Sequence, residues 1–232
     1  MRYATVVFVV FCTAYVRSVP FIHKCKSDDS KCAKESAQAA IPIFAAGLPE
    51  FGVRTLDPVT FPRIDASSPN LKLILTDVTI KGLKNCIAKK VKRDKPKSKL
   101  FLKFQCSGVL DGQYEMKGQL LILPIEGKGP IHVTLRKAEI SVEMDVEEQN
   151  DRWNIKKWKH SYELKDNSEV VFGNLFNGNE VLRNAAQEVI ASSGNEIIME
   201  VGPPMIDALV DVVASEMNNF FHKVSVTELS ID

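Results

Sequence analysis

The chain has 232 residues, of which 45% are hydrophobic, 25% charged and 8% aromatic. These are the values of an ordinary globular protein, and they exclude collagen-like, low-complexity and wholly disordered chains. With 30 basic against 29 acidic residues, no net field draws the protein toward nucleic acid, and none is expected as a partner.

Met1–Arg2–Tyr3 and the apolar run from Ala4 to Val16 read as a secretory signal: a basic start, then a stretch shorter than the roughly 20 residues that span a bilayer. The small residues Val16 and Ser18 place cleavage after Ser18, and a buried N-terminal strand is the alternative. No later run approaches spanning length, so stable membrane insertion is not expected. The organisation read from this is a signal peptide over 1–18 and one domain over 19–232.

Cys25, Cys32, Cys86 and Cys106 remain after residue 18, an even number suited to an oxidising compartment. Cys25 and Cys32 flank KSDDSK, where Asp29 or Ser30 can cap a helix starting near Lys31. A bridge there staples the N-terminus to that helix. Lys84–Arg93 and Lys99–Leu110 read as strands around a DKPKS turn. A hairpin centred on Pro96 sets Cys86 opposite Cys106, at the Cα separation of about 4.5–5.5 Å that a disulfide accepts. Metal binding is the rival for both pairs, but CxxC spacing and neighbouring His are lacking, so no metal site is assigned.

Ala33, Ala37, Ala40, Ile41, Phe44, Ala45 and Leu48 recur at helical spacing over Lys31–Leu48, with Pro42 expected to kink or split the helix. The following GLPEFGVRTLDPVTFPR, broken by Pro and Gly, reads as an ordered connector too polar for a core element. From Leu71 to Phe172 apolar residues alternate with polar ones, the pattern of antiparallel strands with one buried face. Breaks are expected at DKPKS, at GKGP (Gly127 to Pro130) and at EEQND (Glu147 to Asp151). A change of phase between Leu135 and Ala138 marks a bulge that bends the sheet.

Val181, Leu182, Ala185, Val189 and Ile190 form one helical stripe. After Gly202–Pro203–Pro204, Ile206, Val210, Val213, Met217 and Phe220 form a broader one, which implies a helix surrounded on most sides. The expected class is α+β: a long C-terminal helix wrapped by a highly curved antiparallel sheet, with a disulfide-stapled N-terminal helix.

Motifs for catalysis are lacking. GxSxG, HExxH, Walker and GxGxxG patterns do not occur, and His23, His132, His160 and His222 share no ligand spacing; no catalytic residue and no cofactor are assigned. The basic run KKVKRDKPKSK (Lys89 to Lys99) reads as a solvated hairpin tip, with an anion- or membrane-docking patch as alternative. NLFNGN (Asn174 to Asn179) fits a turn and N-cap before a helix at Glu180, or a binding loop.

Six features now stand in order: the Cys pair seven apart, GLPEFGVRTLDP (Gly47 to Pro58), LLILPIEGKGP (Leu120 to Pro130), NLFNGN, GPPMIDAL (Gly202 to Leu209) and NNFFHKVSVTEL (Asn218 to Leu229). Together they resemble the takeout and haemolymph juvenile-hormone-binding family of insects, from Cys25 to Leu229, with Ser225 where the family usually carries Pro. The resemblance implies a tubular lipid-binding fold enclosing an apolar tunnel. It also implies a secreted, non-enzymatic carrier in haemolymph or another extracellular fluid, expected as a monomer. The ligand implied is small and hydrophobic: a juvenile-hormone-like terpenoid, a fatty acid or another long-chain lipid. The wall residues expected are Phe44, Leu48, Leu102, Phe104, Ile122, Val133, Leu135, Ile140, Val142, Met144, Phe172, Val213, Met217 and Phe220, with Tyr114 and Tyr162 supplying a hydroxyl to a ligand ether, epoxide or carbonyl. Plain core packing is the alternative for each residue, and a ligand-free secreted structural or interaction protein is the alternative for the chain.

Overall fold

The computed structural model describes residues 19–232; the signal-peptide reading falls outside them. Helix α1 (Ser30–Ala46) precedes seven strands: β1 (Val59–Asp65), β2 (Leu71–Lys81), β3 (Ile87–Asp94), β4 (Lys99–Leu120), β5 (Leu123–Gln149), β6 (Arg152–Leu164) and β7 (Glu169–Phe172). Helices α2 (Glu180–Ser192), α3 (Gly194–Val201), α4 (Pro203–Lys223) and the short α5 (Val226–Leu229) complete the chain. All strand pairs are antiparallel. The result is the expected α+β arrangement, a curved sheet around a long C-terminal helix. Among the described residues no helix is long and apolar enough to cross a membrane.

The spine is the β4–β5 pair, joined from Lys99↔Asp145 to Leu120↔Leu123. Its register slips between Cys106 and Gly108, opposite Ala138 and Leu135, where Lys137 adopts φ 45°. This is the bulge signalled by the change of phase, and it divides the sheet in two. In the near half, β3 pairs the start of β4 and β6 pairs the end of β5. In the far half, β2 and β7 take the same roles and β1 adds an edge beside β2. Helix α4 serves both halves, Met205 and Leu209 joining the far cluster and Ile206, Val210, Ala214 and Phe220 the near one.

Several elements differ from expectation. Pro42 leaves α1 a single helix; it forfeits one hydrogen bond, and the packing of the helix on the sheet offsets that loss. The connector runs into strand β1, with Pro62 at the one position that skips pairing, as an edge strand permits. Its apolar residues Leu48, Phe51, Val53 and Leu56 are buried, because the chain doubles back through Leu48 N–H to Val53 O (2.9 Å) and Val53 N–H to Leu48 O (3.1 Å).

GKGP is not a turn: β5 runs through it, and the hairpin turns instead at Leu121 and Ile122. The glycines serve close approach. A Cβ at Gly127 would meet the Tyr114 hydroxyl at 2.7 Å, and one at Gly129 the Gly173 carbonyl at 2.6 Å, because residues 173–175 cross over the strand here. In α2 the buried residues are Ala186 and Ile190, while Val181 is 80% and Leu182 50% exposed; they sit in the first turn, before the helix meets the sheet. Helix α3, which the apolar stripes left unassigned, buries Ile197 and Ile198. Asn179 caps α2, its side chain accepting from Leu182 N–H, as the turn-and-cap reading of NLFNGN expects. At Ser225, φ of −70° starts α5 and would equally suit Pro.

Polar fasteners hold the layers. Gln38 of α1 grips the outer edge of β3, its Oε1 accepting from Ala88 N–H (2.8 Å) and its Nε2 donating to the Cys86 carbonyl (3.2 Å), so the helix covers an otherwise open sheet edge. On α4, Asp207 and Asp211 meet His160 (3.1 Å) and Trp158 Nε1–H (2.7 Å) of β6. Four helical residues and two strand residues both advance about 6–7 Å, so the two pairs match in register. Glu216, only 6% exposed, accepts from the Arg54 Nε (2.8 Å) and backbone N–H (3.2 Å) and from Asn219 Nδ2 (3.3 Å).

Disulfides join Cys25 to Cys32 and Cys86 to Cys106. The second pair has a Cα separation of 4.4 Å. The hairpin as a whole is centred half a residue beyond Pro96, as Asp94↔Lys99 shows; the shift between Ala88 and Lys90 restores the opposition of the cysteines. Asp29 caps α1 through Cys32 N–H.

Peptide mapping without reduction is expected to return these two pairs and no others among the four cysteines. Replacing Cys86 and Cys106 by Ser should lower stability in urea by about 3 kcal/mol, more than the loss of the shorter Cys25–Cys32 loop. Glu216→Ala should cost about 1.5–3 kcal/mol in the same assay, since it removes hydrogen bonds to a buried carboxylate.

Candidate ligand cavity

The near half is hollow. A cavity of about 320 Å³ lies between α1, the near ends of β3, β4 and β5, and α4, at the lower end of the ~300–1,000 Å³ typical of ligand pockets. Strand alternation supplies Leu100, Leu102 and Phe104 from β4 and Ile140, Val142 and Met144 from β5. The broad stripe of α4 supplies Val210, Val213, Met217 and Phe220. Opposite them α1 presents Ala33, Ala37 and Ala40 with Ile41 and Phe44; three alanines on one helical face leave volume where larger side chains would fill it.

Phe220 anchors one end. Its ring lies 5.3–6.1 Å from the centroids of Phe21, Phe44, Phe51 and Phe221, the spacing of favourable aromatic pairs. Chain ends line the cavity too, through Ile22, Cys25, Leu229 and Ser230. They are clasped together: Ser230 Oγ donates to the Cys25 carbonyl (3.1 Å), and Ser27 N–H donates to Asp232 Oδ1 (2.8 Å).

Of the wall residues expected from sequence, Phe44, Leu102, Phe104, Ile140 and Val142 line this cavity, as do Met144, Val213, Met217 and Phe220. The others do not. Leu48 is buried beside the cavity in the doubled-back connector. Tyr114 and Phe172 are buried in the far half, with Val133 and Leu135 packed against that cluster. Ile122 is 82% exposed at the hairpin tip, because the turn falls there and not at GKGP.

Tyr114 stacks edge-on to Phe172 at 5.0 Å and donates to the Gly173 carbonyl at 2.7 Å. Burial pushes its phenol up to about 12, so the hydroxyl is a neutral donor already in use. Tyr162 packs against the near cluster with its hydroxyl directed to the Ile198 carbonyl (3.5 Å). Neither tyrosine is among the residues around the cavity.

Sequence reasoning missed the alanines as cavity wall, and it missed Arg93 and Trp153. Arg93 was hidden in the basic run, yet it shares the strand parity of Val91, and both line the cavity. The run is thus not uniformly solvated: Arg93 is half-buried, and Lys99 pairs with Glu143 (3.0 Å) and Asp145.

One constellation of catalytic type does occur. Asp111 Oδ1 lies 2.7 Å from His132 Nδ1, and His132 Nε2 3.3 Å from Thr134 Oγ1. The acid and the imidazole are each about half exposed, at 53% and 47%, on the outer face of the sheet beside a shallow depression. A nucleophile there would work in bulk water. Among the described residues no group of three or more His, Cys, Asp or Glu could hold a metal ion.

Comparison with known proteins matches residues 5–230 to the family described as haemolymph juvenile hormone binding protein. The circadian clock-controlled protein daywake of Drosophila melanogaster is 24% identical over 225 residues, 89% of this chain and 86% of its own length. Its counterpart in Drosophila yakuba is 24% identical over 204 residues, 81% of this chain and 78% of its own. The crystal structure of takeout 1 from Epiphyas postvittana superposes with a TM-score of 0.87 at 28% identity, covering 91% of this chain and all of that one. A family match over nearly the whole chain and a shared fold lead to one conclusion: the chain belongs to the takeout and haemolymph juvenile hormone binding protein family.

Proposed function

We propose that the protein is a secreted carrier that holds one small hydrophobic ligand in the near-half cavity. The observation that carries this reading is the apolar hollow of the near half, inside a fold whose family binds small hydrophobic ligands. Binding would come from burial, about 25 cal/mol per Å² of apolar surface before the cost of association is subtracted. The side chains assigned to ligand contact are the nine expected residues around the hollow, with the alanine face of α1 setting its width. The signal-like start and the family support secretion. The ligand classes that fit are a juvenile-hormone-like terpenoid, a fatty acid or another long-chain lipid. Family membership also favours a binding protein over an enzyme.

Native mass spectrometry and solvent extraction of the secreted protein should reveal a co-purifying lipid, and a fluorescent long-chain probe should bind with 1:1 stoichiometry. A clean protein that ignores such probes would instead indicate the ligand-free structural alternative. Val213→Phe offers a second check. In a packed core the added ring costs about 1–3 kcal/mol. Facing the hollow, it should leave the melting temperature of the ligand-free protein nearly unchanged and weaken probe binding clearly, read on the same sample by calorimetry and fluorescence.

A further inference from the structure

The cavity wall is mostly apolar, with His23, Lys26, Ser27, Ser36 and Ser230 toward the chain ends and α1, and with Arg93 on the sheet side. Arg93 of β3 and Trp153 of β6 both line the hollow. Their side chains are in contact, the guanidinium carbon lying 5.1 Å from the indole centroid, and Phe221 of α4 closes the other side of the indole at 5.3 Å. Arg93 Nη1 and Nη2 both reach a single acceptor, the Val146 carbonyl, at 3.3 Å.

Two donors are left over. Arg93 Nε and Trp153 Nε1 are buried without a hydrogen-bond partner. Buried N–H groups are almost always satisfied in folded proteins, and an unsatisfied one costs more than a made bond returns. The charge is also uncompensated: among the described residues no carboxylate lies within 4.0 Å of Arg93, the acid felt most being the more distant Glu148. Burial accordingly pulls the guanidinium below its usual range. Two residues of a mostly apolar wall thus carry buried, unpaired donors, one of them cationic, which is the chemistry of a receptor for an anionic head group.

We propose that Arg93 and Trp153 anchor the carboxylate of a long-chain acid whose tail fills the apolar cavity. The cargo class is then a free fatty acid or acidic terpenoid in preference to the corresponding neutral ester or alcohol. This rests on the carrier reading and narrows it. Arg93 supplies Nε–H and charge to the head group, Trp153 supplies Nε1–H, and the Val146 carbonyl with the indole face holds the guanidinium in place. The tail would run from that end along Leu100, Leu102 and Val142 toward Val213 and Met217.

The test compares dodecanoate with methyl dodecanoate by titration calorimetry on the folded secreted protein, then on Arg93→Met and Trp153→Phe. The wild type should prefer the acid by about tenfold or more, the worth of one charge-assisted hydrogen bond. Arg93→Met should abolish that preference by weakening the acid while leaving the ester within about twofold, which also shows that the variant is folded. Trp153→Phe keeps the ring and should reduce the preference without reversing it. Equal binding of acid and ester by the wild type, or an undiminished preference in both variants, overturns the anchor and leaves the carrier reading standing. Binding of neither compound by the wild type overturns the carrier reading and the anchor with it.

Discussion

An antiparallel sheet with one apolar face must be covered along its whole length, and here that length belongs to strands of 22 and 27 residues. A helix of 21 residues is about 31 Å long, far short of what either strand would span if straight. The chain meets this constraint by bending the strands at the 106–108 bulge and passing α4 along the concave side. The remaining cover differs between the halves. In the far half α2, α3 and the crossing segment 173–175 add cover over the buried cluster. In the near half the extra cover is α1, the connector and the clasped chain ends, and the inner face of α1 is largely alanine. A hollow is what remains when a curved sheet is spanned by two helices, one of which carries small side chains.

Retaining that hollow forgoes dispersion contacts and apolar burial, a loss that a well-packed half and a set of fixed clasps can offset. The clasps sit around the hollow and not across it. Gln38 and the Cys86–Cys106 bridge secure the β3 edge, Glu216 secures the connector, and Asp207 and Asp211 secure β6. Each uses polar or covalent bonds that need no close packing on the cavity side.

Period-two alternation, the broad stripe of the last helix, the cysteine arithmetic and the phase change after Leu135 are local signals, and each carried into the structure. Alternation says which residues of a strand point inward. It does not say what stands opposite them, so Tyr114, Val133, Leu135 and Phe172 had the same signature as Leu102 and Ile140 although one set belongs to the far cluster and the other lines the cavity. GKGP misled because Gly and Pro mark turns by composition, whereas here the glycines make room for a chain crossing that only tertiary structure creates. That error also displaced Ile122, which moved from wall to surface. Arg93 was obscured by its basic neighbours, since a run of charges reads as one solvated face even when strand parity turns one member inward.

The alanine face of α1 has an evolutionary consequence. Ala33, Ala37 and Ala40 sit on a helix that contributes nothing to the β-ladder, so exchanging one for Ser, Val or Leu alters the bore of the hollow without touching strand pairing or register. On the carrier reading, selectivity for ligand girth would be stored in a segment separate from the one that stores foldability. Single substitutions there would then widen or narrow the choice of ligand while leaving the pairing that folds the sheet untouched.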